Sequence, residues 1–340
     1  DYTRKWDLQS APSVCNNCGL GCNTLPGERY GKLKRIHNRY NHEVNGYFLC
    51  DRGRFGGDHV NSERRLDYAA TRDDDGRFRA LDTDSALDQL RDACRGKRLA
   101  GIGSPRASVE ANFLLRQLVG PENFCNGMSD AESALADRAM RHLANSPAEN
   151  PSLRRVEESD AILVLGEDLT QTAPRLALAL RQSVRNRAFE LAEGLQLMRW
   201  QDAAVRNLAQ DQRSPLHSIA FGATRLDDIA ASRHSLGVAD QLALARGVLA
   251  ALHGESASET AEVIARDLGQ AGSPLVISGS SAGSAALLDI ARQIADALHR
   301  KDRPAMLSYV LPECNSMGGA LLTHDGPVGV SELAERSGEI

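Results

Sequence analysis

The chain has 340 residues, enough for two or three compact domains. Its 42% apolar and 25% charged residues are ordinary for a globular protein, and with only 4% aromatics the core must rest on Leu, Ile, Val and Ala. A net charge of −5 argues against a nucleic-acid partner, and no apolar run approaches the roughly 18–20 residues of a membrane span.

No basic, then apolar, then small-residue pattern marks a secretory signal. The first residue is Asp1 rather than Met, so the chain reads as a fragment or a processed product. Residues 1–66 are rich in Gly, Asn, Tyr, Arg and Cys and lack a long helical period. They predict a small, irregular, β-rich module, with a strand over 30–36 and its partner over 46–50. The RDDDG stretch at 72–76 predicts a hairpin tip. Thr83 is expected to cap a helix over 85–94, with Leu87, Leu90 and Ala93 on one face. A short buried strand is expected over 98–103, then an amphipathic helix over 108–119 ending at Gly120. The run DAILVLG at 160–166 is apolar throughout and predicts a buried strand, followed by a helix over 174–185. LVIS at 275–278 repeats the pattern, with a helix over 284–299. Two further helical stretches are expected over 189–210 and 239–252, and RRVEE at 154–158 reads as a solvated helix face. NSMGG at 315–319 reads as a turn. Strand, glycine turn and helix recurring three times argue for parallel sheets covered by helices on both faces.

The seven cysteines do not form a disulfide framework in a chain of this size. Cys94, Cys125 and Cys314 stand alone, and isolated cysteines in apolar contexts behave as small buried hydrophobes. Cys15, Cys18, Cys22 and Cys50 follow the spacing C-x2-C-x3-C and then one remote cysteine. Three thiolates on an eight-residue loop can wrap one corner of a cubane, and a fourth closes it. Gly19 and Gly21 give that loop its backbone freedom. The pattern therefore points to a [4Fe-4S] cluster on Cys15, Cys18, Cys22 and Cys50. A zinc site remains the alternative, although zinc favours two separated C-x2-C pairs. Arg52 and Arg54, in the DRGR that follows Cys50, are expected close to the cluster, with Lys32, Lys34 and Arg35 as further cations. Positive charge and amide donors around the sulfurs raise the reduction potential.

Weaker signals compete with bland explanations. Gly101-x-Gly103 and the GSSAG at 279–283 each sit between a strand and a helix, where a turn can cradle a phosphate. Tight turns alone also require such glycines. His37, His42 and His59 are candidates to approach the cluster, but scattered histidines are more often solvated or packed.

CNNCGLGC with a downstream CDRGR, followed by α/β units, resembles the molybdopterin oxidoreductase superfamily. Within it, the likeness is to the large iron–sulfur subunits, designated G, of bacterial NADH-quinone oxidoreductases (respiratory complex I). YTRKWD at 2–7, PGERYG at 26–31, YFLCDRGRFG at 47–56, GIGSPRASVE at 101–110, VLGEDLTQT at 164–172 and TRLDDIA at 224–230 carry it. The resemblance implies a small irregular β-rich [4Fe-4S] module followed by parallel-sheet α/β domains of the molybdopterin oxidoreductase type. The cluster module would span 1–66, a discontinuous α/β domain 67–125 and 271–340, and an inserted α/β domain 126–270. It implies an electron-transfer subunit of the proton-translocating NADH:quinone oxidoreductase, with no substrate-turnover residues in this chain. Its implied partners are other subunits of the hydrophilic arm, including the flavin-bearing subunit. Its implied place is peripheral, on the cytoplasmic side of the bacterial inner membrane, without membrane insertion. The alternative within the superfamily is a catalytic molybdenum or tungsten enzyme such as formate dehydrogenase or nitrate reductase. That enzyme needs a metal-ligating side chain, and the corresponding stretch, 123–138, offers only Cys125 and Asp130, with Ser129 behind them. A helix cap and a first-turn acid explain Ser129 and Asp130 equally well, and Cys125 reads as a half-buried thiol at a turn. No molybdopterin is therefore expected.

Overall fold

The computed structural model describes residues 3–324, 326 and 328–336; Tyr2 of YTRKWD and positions 325, 327 and 337–340 of the expected 271–340 segment lie outside them. Its N-terminal part is a small sheet. Strands Asn23–Arg29 and Lys32–Asn38 form an antiparallel hairpin, and Gln9–Ser10 and Ser13–Val14 pair with the first of them. Tyr30 and Gly31 make the hairpin turn with φ of 53° and 74°. A two-residue turn with both φ positive matches the twist of the flanking strands. Glu28 holds it by accepting the Gly31 N–H at 2.8 Å. The expected strand over 30–36 thus exists, but its partner is Asn23–Arg29 rather than 46–50. Residues 46–50 are drawn out of strand geometry by Asn45, which is fully buried. The Asn45 side chain accepts the Asn23 N–H at 2.9 Å, and its amide nitrogen lies 3.3–3.4 Å from the carbonyls of Asn23, Arg39, Gly46 and Phe48.

Beyond the module, Ala69–Arg72 and Phe78–Leu81 pair around the expected turn. The helix Thr83–Cys94 starts one residue earlier than Thr83 could cap it. Asp82 is the cap, accepting the Ser85 N–H at 2.9 Å and the Ser85 hydroxyl at 2.7 Å. Leu87 and Leu90 lie on one face as expected, yet they are 53% and 60% exposed. Of the described elements, the 69–72 strand is the main neighbour of this helix and leaves that face uncovered. The strand expected over 98–103 shrinks to Gly101–Ile102, which pairs in parallel with Phe124–Cys125; only Gly101 of the two is buried. The helix Val109–Val119 runs from a Ser108 cap to Gly120 at φ 86°, as expected.

The body is built on one parallel sheet of five strands. Their spatial order is Ser232–Ser235, Leu216–Ala220, Ala161–Leu165, Pro274–Gly279, Met306–Val310. The expected parallel α/β architecture is therefore present. Along Ala161–Leu165, alternate residues go to opposite sides. Ala161, Leu163 and Leu165 pack beneath the helices Val238–Leu252, Glu259–Gln270 and Ala285–Leu298. Ile162 and Val164 pack against Leu153–Val156 and Pro174–Ser183. Burial on both faces is why the strand reads as a continuous apolar run. The flanking strands Leu216–Ala220 and Ser232–Ser235 were not legible, because His217, Ser218, Arg233 and His234 break that run.

Two further expectations are corrected. The stretch 189–210 is two helices, Asn186–Gly194 and Asp202–Ala209, separated at Gly194, which favours helix poorly, and Gln196 at φ 58°. NSMGG at 315–319 is not a turn but the start of the helix Ser316–Thr323. Its Gly318 is needed for close approach: a Cβ there would collide with the Asn315 side chain and lie 2.7 Å from Val109 Cγ2. Finally, Pro274–Gly279 and Met306–Val310 belong to the same sheet as Ala161–Leu165, so a domain boundary at 270/271 would cut that sheet.

Candidate metal centre

The loop from Cys15 to Cys22 is closed by a hydrogen bond from the Cys15 N–H to the Cys22 carbonyl at 2.8 Å. Gly21, at φ 64°, makes the bend that returns the chain toward Cys15. Gly19 serves differently: a Cβ there would lie 3.5 Å from the Glu313 carbonyl oxygen, so the loop runs close over the body. Cys50 comes from elsewhere and caps the helix Asp51–Phe55, where its sulfur accepts the Gly53 N–H at 3.4 Å. Asn17 donates to the Cys15 sulfur at 3.4 Å and also to the Arg52 carbonyl at 3.1 Å. The two ends of the site are thereby tied together.

The Cys15 and Cys50 thiols face one space. Built on Gly53, a Cβ would lie 3.4 Å from the Cys15 sulfur and 3.8 Å from the Cys50 sulfur. Cys18 and Cys22 are buried, Cys15 and Cys50 half-buried. Burial pushes the Cys22 thiol up to about 12, and the neighbouring Cys18, Cys15 and Cys50 push the same way. Burial also raises Cys18, with the Leu20 N–H and the Arg52 charge opposing it. Thiols that resist ionisation and repel one another as thiolates need a strongly positive centre among them, which an iron–sulfur core supplies. Among the described residues, no group of three or more His, Cys, Asp or Glu side chains is drawn together as a metal site. A lone tetrahedral zinc would hold its sulfurs about 3.8 Å apart, given Zn–S bonds of about 2.3 Å.

Arg52 leaves the helix behind Cys50 and donates to the Gln171 carbonyl on the body. Arg54 lines a groove with Leu33–His37 and Asp58, where its charge helps to hold His37 down. His42 bonds Tyr40 and His59 bonds the Gly56 carbonyl, both at 3.2 Å, rather than the thiols. Sequence reasoning missed Asn17, Gly53, Asn45 and Arg175. The first two sit inside the motifs CNNC and CDRGR, where only the geometry reveals what they face. Arg175 lies 125 residues beyond Cys50 in sequence and reaches the module through tertiary packing.

Residues 8–62 match the family described as the molybdopterin oxidoreductase Fe4S4 domain. The chain is 45% identical over 331 residues to the G subunit of NADH-quinone oxidoreductase from Pseudomonas putida, covering 94% of this chain and 36% of that protein. It is 42% identical over 349 residues to the same subunit from Salmonella typhimurium, covering 100% and 38%. Over the stretch it covers, the chain belongs to the G-subunit family of NADH-quinone oxidoreductases. It spans little more than a third of the length of these curated relatives. Acetylene hydratase from Pelobacter acetylenicus shares the fold, at a TM-score of 0.50 and 14% identity over 92% of this chain and 42% of that one. The Fe4S4 domain gives this member of the G-subunit family a [4Fe-4S] cluster as its cofactor.

A pterin would belong in the crevice where a doubly wound sheet reverses its strand order, here between the carboxyl ends of Ala161–Leu165 and Pro274–Gly279. In this member of the G-subunit family a cavity of about 300 Å³ opens there, lined by Arg52, Gln171, Thr172, Ser280 and Ser281, with a buried carboxylate beside it. The buried Glu167 carboxylate accepts the Ser281 N–H at 2.8 Å, the Ser281 hydroxyl at 2.6 Å and the Thr172 hydroxyl at 3.2 Å. Burial pushes its pKa up. These are the donors a phosphate would use, and an anionic pterin phosphate would meet a carboxylate instead. A Cβ at Gly279 would collide with Glu167, and one at Gly103 with Asn112, so packing accounts for both glycines. Ser129 and Glu132 form a capping box at the start of Asp130–Asn145. Cys125 is fully buried in its strand rather than half-buried at a turn. Cys94 and Cys314 are half-buried, less enclosed than expected.

Proposed function

We propose that Cys15, Cys18, Cys22 and Cys50 hold one [4Fe-4S] cluster, and that this chain is an electron-transfer part of an NADH-quinone oxidoreductase. What supports this reading is a hydrogen-bonded loop carrying Cys15, Cys18 and Cys22 beside a helix start carrying Cys50, with N–H donors to the Cys15 and Cys50 sulfurs. The cluster would exchange single electrons. Around it, the Cys15 and Cys50 sulfurs are hydrogen-bonded by Asn17 and Gly53, and the buried sides of Cys18 and Cys22 exclude water. Residues 1–66 form the cluster module, and the α/β body holds that module in place. Ser152 donates to Glu43 at 2.6 Å, and Arg106 links Glu313 at 2.7 Å to the Asn16 carbonyl at 3.4 Å.

In this reading the partners are the other subunits of the hydrophilic arm, the flavin-bearing subunit among them, on the cytoplasmic side of the bacterial inner membrane. No helix among the described residues is long and apolar enough to cross a membrane. The Glu167 carboxylate at the switch-point crevice and the sealed Cys125 weigh against the molybdenum or tungsten alternative. Elemental analysis and pterin extraction of the assembled complex test this. The expected result is iron with neither molybdenum, tungsten nor pterin in stoichiometric amount. Stoichiometric molybdenum or tungsten bound to this chain would replace the electron-transfer reading with a catalytic one.

A further inference from the structure

Arg175 opens the helix Pro174–Ser183 on the body, yet it serves the cluster module. It is only 5% exposed. Its Nη2 donates to Glu157 at 2.8 Å and its Nε to the Asn45 carbonyl at 3.3 Å, and its guanidinium lies 5.4 Å from the Phe48 ring centroid. Its Nη1 is buried and has no hydrogen-bond partner. A buried cationic N–H left unpaired is costly. Asn45, which it holds, also binds Asn23, the residue after Cys22.

We propose that Arg175 is a positioning residue that supplies the buried positive charge against which the reduced cluster is stabilised, and so sets its reduction potential. The proposal rests on the four-cysteine reading above. Reduction adds one negative charge to an already anionic centre, and a cation in a low-dielectric, water-poor setting favours that state far more than an exposed one does. Through Asn45, which binds the residue after Cys22, and through Phe48, two residues before Cys50, the guanidinium lies against the segments that carry two of the thiols. Arg52, in contrast, is exposed, so water and salt screen it. Glu157 partly neutralises Arg175 from the side of the body and lies 3.8 Å from the exposed Arg154. The body thus has an electrical as well as a mechanical part in the site.

The sign of the effect makes the proposal testable from two sides. An EPR-monitored redox titration of the cluster in the full-length protein within its complex compares wild type with Arg175→Gln, Arg175→Lys, Glu157→Gln and Arg52→Gln. Arg175→Gln is expected to move the potential to a more negative value. Arg175→Lys, which keeps the charge, should retain most of the wild-type value, and Glu157→Gln should move it to a more positive value. The shift in Arg52→Gln should be smaller than that in Arg175→Gln. An intact signal at the wild-type potential in Arg175→Gln overturns the proposal. If Arg175→Gln loses the cluster altogether, Glu157→Gln decides: an upward shift supports the proposal and no shift overturns it. A wild-type protein with no iron and no EPR signal would instead remove the cluster reading on which all of this rests.

Discussion

Cys22→Ser is expected to cost the protein its cluster, with iron and acid-labile sulfide falling below about a tenth of wild type, because a four-iron cubane needs four thiolates and a hydroxyl is a poor substitute. Cys22 is among the most enclosed of the four, and its carbonyl closes the loop onto the Cys15 N–H. Loss of metal and loss of local order should therefore come together. The measurement is iron and sulfide content alongside amide hydrogen exchange across 8–62. Exchange should rise there and stay unchanged in the sheet over 161–165 and 274–279. Cys314→Ser is the control: Cys314 lies close enough to Cys15 for the charges to interact, yet its sulfur faces the carbonyls of Pro105 and Arg106. Cluster content should survive that change. Equal loss in both variants would mean that Cys314 is a ligand and the assignment is wrong.

Gly53→Val should lower cluster content several-fold without unfolding the body. Gly53 sits in a helix with an ordinary backbone conformation, so a side chain there is not forbidden by strain. What opposes it is space. The Cβ would touch the Cys15 and Cys50 sulfurs, and the two further methyl groups of valine would enter the volume between the thiols. Gly53→Ala should be milder, since its Cβ alone makes ordinary contact. The visible absorbance per protein reads the effect, and the urea midpoint of the body should stay within about 0.5 kcal/mol of wild type in stability. A Gly53→Val protein with full cluster absorbance would show that no group occupies the space between those sulfurs.

The metal centre was readable because its chemistry is concentrated in sequence: three ligands fall on eight residues, and the fourth begins DRGR. The central strands were readable for a similar reason, since burial on both faces leaves no polar position in AILVL. Elements that rely on exceptions were not. Tyr30 adopts a positive φ without the usual Asn or Gly signal, so the hairpin partner was misplaced. Gly318 and Gly319 resemble turn residues but lie inside a helix, because the approach to Val109 demands a missing Cβ. Arg175 and Glu167 belong to no motif. Each gains its role from partners far away in the chain: Arg175 from Asn45, and Glu167 from Ser281. A division at 270/271 would run through one sheet, because strand order in a doubly wound sheet does not follow chain order.

The most direct test of the account is quantitative analysis of iron, acid-labile sulfide and zinc in anaerobically purified protein. Four thiolates around a cubane predict iron and sulfide in equal amounts, about four of each per chain from this site, with a broad brown absorbance and an EPR signal on reduction. A colourless protein carrying stoichiometric zinc and no sulfide would contradict it.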